Sequence, residues 1–185
     1  MPVQLFGAYQ RDNARCAVAA VTLAGRHFLI GDTAVKTGLA QTTRLAGLRA
    51  RFEIVRTDPV TIIDVAHNPD GIRSLVSSIR SFSNRKVVCI FGAMKDKDYP
   101  SMIRSLKIVK PVMLCVQPST ERAIDSRVLY EICVRNRLQS HNISSIPEAI
   151  DLSRKLAGKK GVVIITGSHY VVGEAISYIN SKKNP

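Results

Sequence analysis

Three short stretches concentrate the side chains that could bind a ligand or move a proton. The first, DVAHNPDG (64–71), sets a carboxylate, an imidazole and a carboxamide at Asp64, His67 and Asn68, directly after the apolar run 60–63. Asn68-Pro69 is a helix start, with Asn as N-cap and Pro at the first helical position. Asp70 then occupies the first turn and satisfies the positive helix end itself, so a phosphate would meet repulsion there. Asp64, His67 and Asn68 therefore suit hydroxyls, an amine or a cation; the blander reading is that Asn68 only caps and His67 is a satisfied loop histidine. In the second, FGAMKDKDY (91–99), Gly92 lets backbone come close at a strand end, and Lys95 and Lys97 are cations on the same rim. Asp96 and Asp98 could clamp those lysines or begin the next helix. The third, TGSHYVVGE (166–174), offers the Ser168 hydroxyl and open backbone amides after an apolar strand, a seat for a carboxylate or phosphate. His169 could face that site or simply cap.

Other chemistries are missing from the text of the sequence. No G-x-x-x-x-G-K-[ST] loop or G-x-G-x-x-G fingerprint occurs, and AGKKG (157–161) lacks the spacing and the hydroxyl of a phosphate loop. Neither Ser168 nor Cys89 has a partner at catalytic spacing. Cys16, Cys89, Cys115 and Cys133 are far apart, so neither a metal cluster nor a disulfide framework is expected. The net charge of +13 is spread evenly: residues 1–58 hold 8 basic and 4 acidic groups, 59–118 hold 9 and 4, and 119–185 hold 10 and 6. A nucleic-acid binder usually gathers its charge on one stripe or tail. An even positive surface suits anionic small molecules and is compatible with weak RNA contact. No segment approaches the roughly 18–20 apolar residues of a membrane span, and the N-terminus reads as neither a signal nor a transit peptide; the expectation is a soluble, cytoplasmic protein.

The elements that would position these residues follow from periodicity. Strands are expected at 52–57, 60–65, 86–91, 111–116 and 161–166, with a weak one near 142–145. Between them fall helices at 68–82 (Ile72, Leu75, Val76, Ile79), at 98–107, around Val128, Leu129, Ile132 and Cys133, from Pro147, and finally a helix striped by Val172, Ala175, Ile176 and Ile179. Alternation of this kind predicts a doubly wound α/β fold with a mostly parallel sheet and helices on both faces. In such sheets ligands bind beyond the carboxyl ends of the strands, where all three stretches fall. Residues 1–50 break the rhythm: helices near 13–24 and 33–41, a turn at Gly31-Asp32, and a link rich in Thr, Gly and Arg form an N-terminal helical appendage.

DVAHNPDG, FGAMKDKD and TGSHYVVGEA, in that order and spacing, resemble the C-terminal domain of folylpolyglutamate synthase/dihydrofolate synthase, in the Mur ligase superfamily. GAYQRDNARCAVAAV (7–21) resembles the end of that family's central ATPase domain, and VKTGLAQTTRLAGLRARFEIV (35–55) its connecting segment. The resemblance implies two regions, a central-domain tail with linker (1–50) and a C-terminal glutamate-ligase domain (51–185). It implies an ATP- and magnesium-dependent ligase that activates a carboxylate as an acyl phosphate for attack by the amino group of glutamate, on dihydropteroate or folate. Carried over by motif, Asn13 would contact adenine and Arg51 the nucleotide phosphates. Asp64 and His67 would line the nucleotide and glutamate side, Lys97 would bind an anion near the amino-acid site, and Ser168, with His169 beside it, would meet a glutamate carboxylate. Asp64, His67 and Lys97 would be the catalytic set, and no metal ligand is assigned to this chain. The sequence departs from the family's Trp-Pro-Gly-Arg linker: Ala50 precedes Arg51, and Arg49 competes for the same role. The phosphate loop and most of the central domain are also not in these 185 residues, so the chain alone is expected neither to hydrolyse ATP nor to ligate glutamate. The alternatives from other classes are a non-catalytic α/β module binding nucleotide or RNA, and an interaction domain whose polar strand ends only cap helices.

Overall fold

A computed structural model describes residues 3–7, 9–82 and 84–182. The chain divides into two compact units, Met1–Glu53 and Ile54–Pro185. The first holds α1 (Gln10–Ala24), α2 (Asp32–Ala40) and α3 (Thr42–Ala46), with α1 packed on α2 and α2 on α3. The short α3 lies where the sequence predicted only a link. Its start is braced by the Thr42 hydroxyl, which donates to the Gly38 carbonyl at 2.8 Å, and it stops at Gly47, whose φ of 60° is the left-handed cap conformation.

The second unit is built on a six-stranded sheet of order β1-β2-β6-β3-β4-β5, from β1 (Glu53–Thr57), β2 (Val60–Ile63), β3 (Val87–Phe91), β4 (Val112–Cys115), β5 (Ser140–Asn142) and β6 (Val162–Thr166). Only Asp58-Pro59 separates β1 from β2, and a two-residue connection makes that pair antiparallel; the remaining pairs are parallel. Every residue of β3, β4 and β6 is buried, which explains their lack of polar alternation: both faces are covered. The crossover helices are α4 (Pro69–Ile79), α5 (Tyr99–Leu106), α6 (Ser126–Arg135), α7 (Ile146–Ala157) and α8 (His169–Ser181). Right-handed crossovers put α4, α5 and α6, packed in series, on one face, and α7 with α8 on the other.

The doubly wound prediction therefore holds, and the differences are local. β5 begins at Ser140, earlier than 142, because Ser145 leaves the sheet to accept the Glu148 amide as N-cap of α7. β5's register comes instead from β4, with Met113 opposite Ser140. On α6 the buried positions are Leu129 and Cys133, while Val128 is 37% exposed. On α8 they are Val171, Val172 and Ala175, with Ile176 and Ile179 only half-buried.

Ile164, in the middle of β6, is fully buried between β2 and β3. Truncating Ile164→Ala should cost about 2–5 kcal/mol of unfolding free energy in urea, whereas Ile54→Val on the exposed edge strand should change it by less than about 0.5 kcal/mol.

Candidate functional site

β6, the last strand of the chain, lies between β2 and β3. Ile63 pairs with Ile165, and Phe91 with Thr166, so the three polar stretches leave the sheet side by side at one rim. The helices that follow β6 and β3 go to opposite faces, which makes this rim the switch point of the winding, where open α/β sheets take their ligands.

Contacts beyond the ladder fasten the first and third stretches together. The Asp64 amide still donates to the Ile165 carbonyl at 3.1 Å, and the Gly167 amide donates to the Ala66 carbonyl at 3.0 Å. Gly167, at φ 104°, passes so close to β3 that an added Cβ would lie 2.4 Å from the Gly92 carbonyl oxygen. Gly92 is hemmed in likewise, a Cβ there falling 2.6 Å from the Val116 carbonyl oxygen. The sequence reading of Gly92 as a point of close backbone approach is thus correct.

Each candidate side chain can now be placed. Asp64 is 4% exposed, and its Oδ1 accepts the Ala66 amide at 2.9 Å, so the carboxylate shapes its own loop. His67 sets Nδ1 3.0 Å from the Val65 carbonyl. A carbonyl only accepts, so Nδ1 carries the proton and, in the neutral ring, Nε2 is the acceptor. The His67 and His169 rings lie 5.3 Å apart, tilted by 42°. Asn68 accepts the Gly71 amide at 2.7 Å with Pro69 in the first turn, as predicted, and Asp70 pairs with Arg73 on the surface. Ser168 is buried and accepts the Val171 amide at 3.1 Å as N-cap of α8; its own O–H remains a donor.

The second stretch sits on the neighbouring tip but is braced elsewhere. Lys95 turns away, its Nζ donating to the Glu121 carbonyl at 2.8 Å. The Lys95 amide reaches Arg122 and the Ile124 amide reaches Ala93, so this loop is tied to the loop after β4. Asp98 caps α5 by accepting the Ser101 amide. Asp96 clamps Lys97 at 2.9 Å and Arg122 at 3.6 Å; the Lys97 hydrogen bond holds the Asp96 carboxyl below its ordinary range. Both readings of the acids, lysine clamp and helix start, are thus realised. Lys97 is half-buried and shares the rim with Ser168 and the two histidines through strand adjacency rather than through a direct bond. Sequence reasoning missed Glu174, which accepts the Ser119 amide at 2.7 Å and so pins the loop after β4 to α8. It had no signal beyond being an acid on a helix.

Asn13 and Arg51 belong to the first unit, where they line one cavity of about 410 Å³ together with Tyr9 and Gln10. Gln10 is the one buried residue of α1, and its side-chain carbonyl accepts the Asn13 amide at 3.1 Å. That bond leaves the Asn13 carbonyl oxygen as the acceptor. Arg49, the competitor of Arg51, is committed to Glu53, with Nε 2.8 and 2.9 Å from its two carboxylate oxygens. The Glu53 bond raises the Arg49 pKa. Among the described residues no group of three His, Cys, Asp or Glu could hold a metal ion, and no helix is long and apolar enough to cross a membrane.

A doubly wound domain whose capped helix starts and polar loops leave the sheet side by side at the switch point has the nucleotide-fold architecture. The chain belongs to the Mur ligase family: residues 50–169 match the model of the Mur ligase, glutamate ligase domain. It is 32% identical over 174 residues to a probable bifunctional folylpolyglutamate synthase/dihydropteroate synthase of Haloferax volcanii, covering 94% of this chain and 20% of that protein. To the dihydrofolate synthase/folylpolyglutamate synthase of Bacillus subtilis it is 28% identical, covering 92% of this chain and 39% of the relative. Among solved structures it resembles E. coli FolC in complex with DHPP and ADP, with a TM-score of 0.83 and 26% identity over 93% of this chain and 39% of that one. A bifunctional folylpolyglutamate synthase/dihydrofolate synthase crystallised with Mn, AMPPNP and L-glutamate has a TM-score of 0.71 at 27% identity, over 82% of this chain and 35% of that one. The chain thus spans about two fifths or less of these relatives. They favour the ligase family over a freestanding nucleotide- or RNA-binding module.

The close passage of Gly167 makes a sharp prediction. Gly167→Ala should destabilise the domain by at least about 2 kcal/mol, since it meets backbone and a left-handed φ together. Gly173→Ala, in open space on α8, should stabilise by up to about 1 kcal/mol. Urea unfolding of the two variants checks both signs.

Proposed function

We propose that this chain is the C-terminal part of an ATP-dependent folate–glutamate ligase, in which it positions glutamate and closes over nucleotide held largely by the rest of the enzyme. In the proposed reaction a carboxylate of folate or dihydropteroate is activated as an acyl phosphate; the glutamate amine attacks the acyl carbon and phosphate leaves. The observation that supports the reading is the adjacency of the ends of β2, β6 and β3, from which the loops carrying His67, Ser168, His169 and Lys97 leave the sheet side by side. The Ser168 O–H and Lys97 supply donors for glutamate carboxylates, beside the positive N-terminal ends of α8 and α5. His67, with Nδ1–H fixed on Val65, presents Nε2 to the proton that the attacking amine must lose. Asp64, buried against the Ala66 amide, acts as the positioning residue that holds His67's loop.

The nucleotide contacts proposed for the first unit are Asn13 and Arg51. With its amide proton given to Gln10, Asn13 offers an acceptor suited to the exocyclic amine of adenine. Arg51 is preferred over Arg49 because Glu53 occupies Arg49 and no ion pair occupies Arg51 among the described residues. The chemistry of Mg2+ would be supplied by the remainder of the ligase, since the described residues offer it no cluster. The same remainder is the partner implied by α1: AVAAVTLA (17–24) contributes no buried residue, and Phe6, Leu23, Phe28 and Leu29 are largely exposed. Apolar surface of that kind is expected to be covered by protein. Buried thiols at Cys89, Cys115 and Cys133 fit a reducing, cytoplasmic setting.

In the full-length ligase, Lys97→Ala and Ser168→Ala should each raise KM for glutamate at least tenfold and KM for ATP less than twofold; equal effects on both would contradict this division of the site. Steady-state kinetics with each substrate varied in turn decides it. Arg51→Ala should do the reverse, raising KM for ATP about tenfold while Arg49→Ala leaves it within about twofold.

A further inference from the structure

A second cavity, of about 240 Å³, opens on the α7–α8 face of the sheet, remote from the rim. Its strand residues lie near the amino ends of β2 and β6, where Thr61 pairs with Val163. On α8 it begins at Tyr178, nine residues and therefore about 14 Å of helical rise beyond His169. Its aliphatic surface comes from Val55, Ile150, Val163 and Ile179, on four different elements.

Cations dominate its mouth. Arg56 from β1, Arg154 from α7 and Lys182 after α8 all line it, and among the described residues none of them forms an ion pair. The one carboxylate lining it, Asp151, is engaged: its Oδ2 accepts the Tyr178 hydroxyl at 2.8 Å. That hydrogen bond raises the Tyr178 pKa. Lys182 lies over the same ring, its Nζ 5.5 Å from the centroid.

We propose that this cavity is a binding site for a small aromatic carboxylate. The ring enters between Val163, Ile150 and Ile179 with Tyr178 as a wall, and the carboxylate meets Arg56 and Arg154. A bare inorganic anion would leave the apolar floor without a partner. A neutral hydrocarbon would leave the cations where they are, solvated and unpaired. At about 240 Å³ the cavity falls below the roughly 300–1,000 Å³ of pockets that take drug-sized ligands, so nucleotides and folates are too large for it. The site stands apart from the ligase reading, because none of its residues belongs to the rim.

Benzoate titrated into the 15N-labelled chain tests it by two-dimensional NMR. Saturable shifts are expected at the amides of Thr61, Ser153 and Val163, with a Kd on the order of 1 mM. Arg154→Met and Arg56→Met should each weaken binding at least fivefold and the double variant at least tenfold, with spectra that otherwise overlay on the parent chain. Lys160→Met should leave binding unchanged. No saturable shift at these amides would overturn the proposal. So would binding of inorganic phosphate as tight as that of benzoate, or undiminished benzoate binding by the double variant.

Discussion

The structure depends on the last strand entering the middle of the sheet. β6 must insert between β2 and β3, and only then do residues about a hundred positions apart, Asp64 to His67 and Ser168 to His169, stand on neighbouring tips. The parallel ladders on both sides of β6 and the full burial of its five residues supply the driving force. The backbone of Gly167 against Gly92 sets the final spacing. A side chain at either glycine would push the tips apart, so the geometry of the rim is tied to the packing beneath it.

At the rim the groups proposed to do chemistry also carry structural duties. Asn68, Asp98 and Ser168 each cap a helix that starts there, which satisfies amides that would otherwise be unpaired. Ser168 keeps a proton to donate after capping, and Lys97 is ion-paired with Asp96. Asp64 has the opposite balance, its Oδ1 accepting the Ala66 amide within its own loop. Of the two readings weighed for the octet 64–71, capping is realised at Asn68, and chemistry is proposed for His67.

Much of this was legible in the sequence because it is local. Apolar runs with no polar alternation marked β3, β4 and β6, and Asn68-Pro69 marked the start of α4, since burial and capping leave their trace at fixed spacing. The strand order was not written there, and neither was the bracing of the Lys97 loop by Arg122 and Ala93, nor the hold of Glu174 on Ser119. These depend on contacts across tens of residues that no period encodes. β5 was misplaced because Ser-His-Asn carries little strand preference and takes its register from β4. The proposed preference for Arg51 over Arg49 could not be drawn from spacing; it rests on the pairing of Arg49 with Glu53, a residue that looks like any other surface acid.

The central claim is that the three tips enclose one guest. A crystal structure of the full-length ligase with ADP and L-glutamate tests it most directly. The account predicts the amino acid at the rim, one carboxylate within hydrogen-bond distance of the Ser168 hydroxyl and His67 Nε2 facing the amine. Glutamate bound elsewhere, with Ser168 and Lys97 touching only their own helices and loops, would contradict it.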